Sequence, residues 1–291
     1  MRSTVLAVVL FVAAGIAIVA QEATGPAGRL PPGVHSGRAL QTVPDKWMWH
    51  MGMLRGLYEI DGVASLEIKK ATGTVRVDGQ PCTVMNYRAS LEYWLPGMRA
   101  QYTCASADGR MHKAIEVVSG QFAWDEDMPG AGLVGGKGTP SSKPAALAER
   151  LIRIWSGPQG AAKAAAAAGA NLKVAMEGGK TVLTYPIPGV AGATARATLS
   201  NGSNDDVPCS SFCAERIEIK QGNSVTEFLY SDYADLNEPL NRIDAWYPRH
   251  EIEKRDGVTI RDLSIAETET GNPYVIMPVP ESVRAAGTPT K

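Results

Sequence analysis

Between Thr83 and Leu95 the chain alternates. Met85, Tyr87, Ala89, Leu91, Tyr93 and Leu95 are apolar, while Asn86, Arg88, Ser90 and Glu92 between them are polar. A period of two puts one set of side chains on each face of a β-strand, so this segment is a strand with one buried face. Pro96-Gly97 then supplies the residues of a type II turn, after which Met98, Ala100, Tyr102 and Cys104 face one way. With Pro96-Gly97 at the centre, Leu95 opposes Met98, Tyr93 opposes Ala100 and Leu91 opposes Tyr102, and the two apolar faces coincide. Similar stretches recur at Val75–Val77, Ile115–Val117, Leu172–Met176, Thr181–Tyr185, Ala193–Leu199, Ala214–Lys220, Ser224–Tyr230, Trp246–Arg255 and Val258–Ile265. Asp108-Gly109, Gly178-Gly179 and Asp256-Gly257 punctuate them as hairpin turns. The strands do not alternate with helices as in a parallel sheet, and no repeat of 20–50 residues is visible. The pattern predicts roughly ten strands, mostly antiparallel.

Three helices interrupt it. Pro44-Asp45 opens the first, with Trp47, Met51, Leu54 and Tyr58 at helical spacing. Met48, Trp49, Met53 and Leu57 make it apolar nearly all round, so it must be covered on more than one side. Ser142 is the expected cap of a second helix with Pro144 in its first turn and a stripe of Leu147, Leu151, Ile154 and Trp155; Gly157-Pro158 ends it. Ala161–Ala168 forms a third. The long Gly-rich stretch Asp125–Lys143 reads as a loop.

Residues 1–20 read as an address. Arg2 precedes an uncharged run from Ser3 to Ala20, followed by Gln21-Glu22, the order of a signal peptide with cleavage after Ala20. The rival reading is an uncleaved anchor, since the run is close to the length of a span. The expected organisation is a signal peptide (1–20), a flexible Gly/Pro-rich leader (21–43), a single domain (44–282) and a disordered tail (283–291). Export to the periplasm or the medium, with no transmembrane span in the mature chain, makes disulfides the expected fate of the four cysteines. Cys209 and Cys213 are close enough in sequence to pair. Cys104, opposite Ala89 in the hairpin register above, lies about 23 Å from Cys82, so the connectivity of Cys82 and Cys104 stays open.

The chain carries 29 basic and 30 acidic residues, a net charge of −1, which recruits neither nucleic acid nor an anionic surface. Its four histidines (His35, His50, His112, His250) stand in no metalloenzyme spacing, and neither a Gly-x-Ser-x-Gly elbow nor a phosphate-binding Gly motif occurs. Trp47-Met48-Trp49-His50-Met51-Gly52-Met53 has soft ligands suited to Cu(I), but methionines and aromatics at helical spacing are more often packing. Asp232, Asp235, Asp244, Asp256 and Asp262 sit beside turns and strand ends, where carboxylates cap or stay solvated rather than catalyse. The aromatics of Tyr230-Ser231-Asp232-Tyr233 and Trp246-Tyr247 suit edge and core packing. No catalytic residue, cofactor or metal is expected.

The order of these elements resembles the periplasmic lipoprotein-carrier family (LolA/LolB-like). The late segment carries the likeness: Tyr230-Ser231-Asp232-Tyr233, then Tyr247-Pro248, then the Asp256-Gly257 hairpin followed by Asp262. The resemblance spans about residues 45–280. It implies a curved antiparallel half-barrel whose apolar side is covered by helices and can hold acyl chains. The expectation is therefore a β-rich α+β protein, non-enzymatic, binding a lipid-like or other hydrophobic ligand in a groove beneath the first helix. Trp47, Met48, Met51, Leu54, Tyr58, Tyr87, Leu91 and Tyr93 are the residues expected to line it. The competing expectation is a structural or protein-interaction module of the cell envelope that fills the same space with its own side chains.

Overall fold

The computed structural model describes residues 42–55, 60–133, 135–202, 209–236, 245–272 and 275–287. Residues 1–20, expected as a signal peptide, the expected leader up to residue 41, Tyr58 and Asp244 lie outside them. Thirteen strands form one open antiparallel sheet, where about ten were expected. A short hairpin, β1 (Leu54–Arg55) with β2 (Ile60–Asp61), precedes it. The first meander runs through β3 (Ser65–Val77), β4 (Gln80–Glu92), β5 (Gly97–Ser106), β6 (Met111–Ser119), β7 (Phe122–Glu126) and β8 (Pro140–Ser142), ending at one edge. The chain then crosses through α2 (Leu147–Ser156) and α3 (Pro158–Ala167) to the opposite edge. From there the second meander returns through β9 (Lys173–Glu177), β10 (Lys180–Pro186), β11 (Ala193–Asn201), β12 (Ser211–Gln221), β13 (Ser224–Asp235), β14 (Trp246–Arg255) and β15 (Val258–Thr270). The two meanders join where β15 pairs with β3. Gly73 makes that seam possible: its φ is +134°, and a Cβ there would lie 2.0 Å from the Asp262 carbonyl oxygen.

The β4–β5 register differs from the one expected. Leu91 pairs with Met98, Ala89 with Ala100 and Tyr87 with Tyr102. The turn is the longer Tyr93–Pro96 segment. A slip of two residues on each strand leaves every side chain on its original face, so the coincidence of apolar faces could not distinguish the two registers. A bulge between Val84 and Asn86 then moves the buried set to even positions. Cys82 and Val84 are buried, while Met85 on the bulge and Leu95 in the turn are exposed. The same bulge aligns Val84 with Cys104, and Cys82 and Cys104 form a disulfide with Cα atoms 5.5 Å apart. Cys209 and Cys213 form the second.

The first helix, α1 (Val43–His50), is shorter than its apolar spacing suggested, and Leu54 lies in β1 rather than on the helix. Thr42 and Asp45 form a reciprocal capping box at its start. It stops because Gly52 takes φ +67°, and the amides of Gly52 and Met53 turn back to the carbonyls of Trp49 and Met48. These two bonds are a Schellman closure, which ends a helix whatever the apolar pattern beyond it. The second helix is entered through a 3-10 turn at Pro144–Ala146, and Ser142 belongs to β8 instead of capping. A fourth helix, α4 (Glu281–Gly287), occupies the start of the segment expected as a disordered tail from residue 283.

One apolar cluster runs between the helices and one face of the sheet, from Trp47 of α1 and Met51 just after it through Leu151, Ile154 and Trp155 of α2 to Leu183, Ala195, Ile217 and Phe228. Ala161, Ala162, Ala164 and Ala165 let α3 pack closely against α1, α2 and β10. Val117, Trp124, Val275, Met277 and Val283 form a smaller cluster, in which the C-terminal segment packs against β6 and β7.

Candidate functional site

The seven described residues expected to line a groove (Trp47, Met48, Met51, Leu54, Tyr87, Leu91 and Tyr93) are all buried, none more than 6% exposed. They belong to the one apolar cluster. The structure brings them into the same core, but with their surfaces packed together. Polar atoms in this layer are less settled than the carbons. Among the described residues Trp47 Nε1, Tyr93 Oη, Trp155 Nε1, both amide atoms of Gln159 and Tyr185 Oη are buried without a hydrogen-bond partner. Buried polar groups are nearly always paired, so six such atoms on α1, α2, α3, β10 and the turn after β4 are unusual.

A second region, not anticipated from the pattern, lies beside α2. Arg153 donates from Nη1 to Glu116 of β6 at 2.8 Å and from Nε to Glu253 of β14 at 3.1 Å, and pairs with Glu149 one turn earlier at 2.9 Å. Arg261 of β15 is directly opposite Glu253 in the ladder. Its guanidinium donates to Glu251 at 2.5 Å and to Tyr87 Oη at 2.8 Å, and it lies over the Tyr87 ring. Tyr247 adds a hydrogen bond to Glu251, and Arg255 pairs with Glu149. Arg261 Nε is buried and has no partner among the described residues.

These charges bound a cavity of about 290 Å³ lined by Val75, Arg76, Tyr87, Tyr102, Arg153 and Arg261 among others. Among the described residues Arg76 donates to the backbone carbonyls of Thr259 and Gly79. Burial alone would raise the pKa of Glu253, but Arg153 and Arg261 outweigh it and hold the carboxyl below its usual value. Glu149 is lowered in the same way, with burial opposed by Arg153 and Arg255. Burial pushes the Tyr102 hydroxyl up to about 12 and raises Tyr87 too, so both remain neutral hydrogen-bonding groups at ordinary pH.

The alternation of β14 points the opposite way from this arrangement. In Glu251-Ile252-Glu253 the pattern puts Ile252 inward, whereas Glu251 and Glu253 are buried and Ile252 is partly exposed. An arginine at an inward position of β15, opposite a glutamate, was the one available signal, and it requires the strand pairing to be known. The tyrosines near the aspartates are structural: Tyr230 Oη donates to the Ser156 carbonyl at the end of α2, and Tyr233 Oη to the Ala214 carbonyl. Asp256 accepts from the Val225 amide and Ser224, and Asp262 pairs with His250. Among the described residues no group of three or more His, Cys, Asp or Glu is arranged to hold a metal ion. No helix of the described residues is long and apolar enough to cross a membrane.

The two disulfides fit an oxidising compartment. The chain matches no protein-family model and no curated protein.

Proposed function

We propose that this is an exported, non-enzymatic binding protein of LolA/LolB-like build, in which a bent sheet and its helices hold a lipid-like or other hydrophobic ligand. The observation that carries this reading is the set of buried polar atoms without partners on Trp47, Tyr93, Trp155, Gln159 and Tyr185. A core that serves only to be filled has no use for them, whereas the ester, amide or hydroxyl groups of an amphiphile would pair with them.

Two features support the half-barrel. Arg153 joins Glu116 on β6 to Glu253 on β14, which are five strand spacings apart in the sheet order. A flat sheet would separate those strands by about 24 Å, beyond what one arginine and two glutamates bridge comfortably. Likewise α2 and α3, ten residues each, lead from one edge strand to the other. They supply roughly 30 Å of helix against almost 60 Å across thirteen flat strands. The cavity beside α2 would then be the polar mouth of the binding site.

The second reading is an envelope interaction module with a self-filled core. The complete burial of the seven nominated residues favours it, as do Trp94 and Leu95, which stand 72% and 75% exposed at the β4–β5 turn. Native mass spectrometry of protein purified from an oxidising periplasm, followed by solvent extraction, separates the two. A stoichiometric acyl or isoprenoid mass, lost on Gln159→Leu, supports the carrier. An apo mass unchanged after incubation with lipid extract moves the assignment to the module.

A further inference from the structure

The sheet ends at β9, and this edge is built to meet itself. All five residues of Lys173-Val174-Ala175-Met176-Glu177 are exposed. Val174 and Met176 are 48% and 67% exposed although they pair with Leu183 and Thr181 on the face that carries the core, where Leu183 is fully buried. The apolar face of the sheet thus continues one strand beyond its cover. The polypeptide edge is open as well. Gly178-Gly179 is a two-residue turn, which makes Glu177 and Lys180 the closing hydrogen-bonded pair. Alternation along the ladder then turns the amide and carbonyl of Lys173, Ala175 and Glu177 toward β10, and those of Val174 and Met176 outward.

We propose that β9 pairs antiparallel with β9 of a second copy of this chain, about a two-fold axis through Ala175. The sequence is self-complementary in that register. Val174 meets Met176 of the second copy twice, through the outward amides and carbonyls, giving four backbone hydrogen bonds and a continuous apolar row. Lys173 meets Glu177 twice on the other face, in the closer-spaced pairs of the ladder. Neither a slipped nor a parallel pairing satisfies both charges: each brings a charge opposite Val, Ala or its own kind. Glu177 also pairs with Arg196 of β11, two strands inward, and its exposed carboxylate is shared between that cation and the incoming Lys173. Short, charged edges commonly guard against such pairing; on β9 the two charges are of opposite sign and complement one another in this register. The edge is short compared with a standard interface, so association is weak and concentration-dependent. This assignment is independent of what the cavity binds.

Sedimentation of the purified full-length protein from micromolar concentrations to about 0.5 mM tests it. A monomer–dimer equilibrium is expected. Lys173→Glu and Glu177→Lys should each weaken it at least tenfold by placing like charges opposite one another. Mixing the two variants should restore a heterodimer, because every cross-strand pair is then complementary. Val174→Pro removes an outward amide without touching the bonds to β10 and should also abolish the dimer, while the circular dichroism spectrum and melting temperature report that the monomer is folded. A protein monomeric throughout the range overturns the proposal. So does a dimer indifferent to all three substitutions, or one that the mixed variants fail to restore.

Discussion

The layer between the helices and the sheet has two unlike ends. Under α1 and α3 it is carbon: Trp47, Met51, Leu183 and four alanines, close-packed, with a few polar atoms left without partners. Under α2 it is charge: Arg153 and Arg261 threaded among Glu116, Glu149, Glu251 and Glu253 around a cavity. The apolar end is held by area removed from water, which tolerates exchange of one hydrophobic side chain for another of like volume. The charged end is held by geometry, since each guanidinium leaves its carboxylates stranded if it moves. A fold needs only the first kind of contact. The second specifies where α2 sits over β6, β14 and β15.

Substitutions can break this contrast. Trp47→Ala should have the largest effect, about 3–5 kcal/mol in a urea titration, because a fully buried indole leaves a cavity that the surrounding chain cannot close. Glu253→Ala should cost about 3 kcal/mol by taking one buried carboxylate from both Arg153 and Arg261, yet replacing Glu251, Glu253, Arg153 and Arg261 together by apolar residues of similar volume should recover much of that loss, because no fully buried charge is then left unpaired. An additive quadruple variant would show that the network contributes no shared term. Removing the Cys82–Cys104 bridge by paired serine substitution should cost about 2–4 kcal/mol, measured against the oxidised parent, and the loss should disappear when both proteins are reduced.

The ends should also differ in pH response. Glu253 and Glu149 have folded pKa values below their unfolded ones, so the unfolded chain binds more protons in the acid range. Stability contributed by these groups is present above the ordinary glutamate value of 4.5 and is lost as pH falls through the lower folded values. The melting temperature should therefore fall below that pH, and Glu253→Gln should flatten the slope, whereas Trp47→Phe should leave it unchanged. The smallest effect belongs to Arg255→Ala, whose side chain is a third exposed and whose partner Glu149 keeps Arg153; less than about 1 kcal/mol is expected.

Most strands were legible because alternation is a local property. Trp246–Arg255 coincides with β14, and the other late strands, from β9 to β15, overlap their expected ranges within a few residues, apart from extensions of β13 and β15. Register was less legible, since a period of two is unchanged by a slip of two, and the bulge at Met85 that unites Cys82 with Cys104 shows in the sequence only as the adjacent apolar pair Val84-Met85, where the alternation changes phase. The charged network was hidden for a different reason. Arg153, Glu116 and Glu253 are far apart in sequence; alternation places Glu116 and Glu253 on a solvated face, and Arg153 lies off the apolar stripe of α2.

The amino-acid sequence by itself determined that this chain makes an antiparallel sheet and roughly where the strands of the second meander lie, because each depends on neighbours within a few residues. The tertiary structure alone decided which strands meet, that β15 closes on β3 through Gly73, and that buried arginines and glutamates surround a cavity. Those outcomes depend on long-range pairing. A charge can be buried only once its partner has been delivered, and delivery is set by the whole sheet.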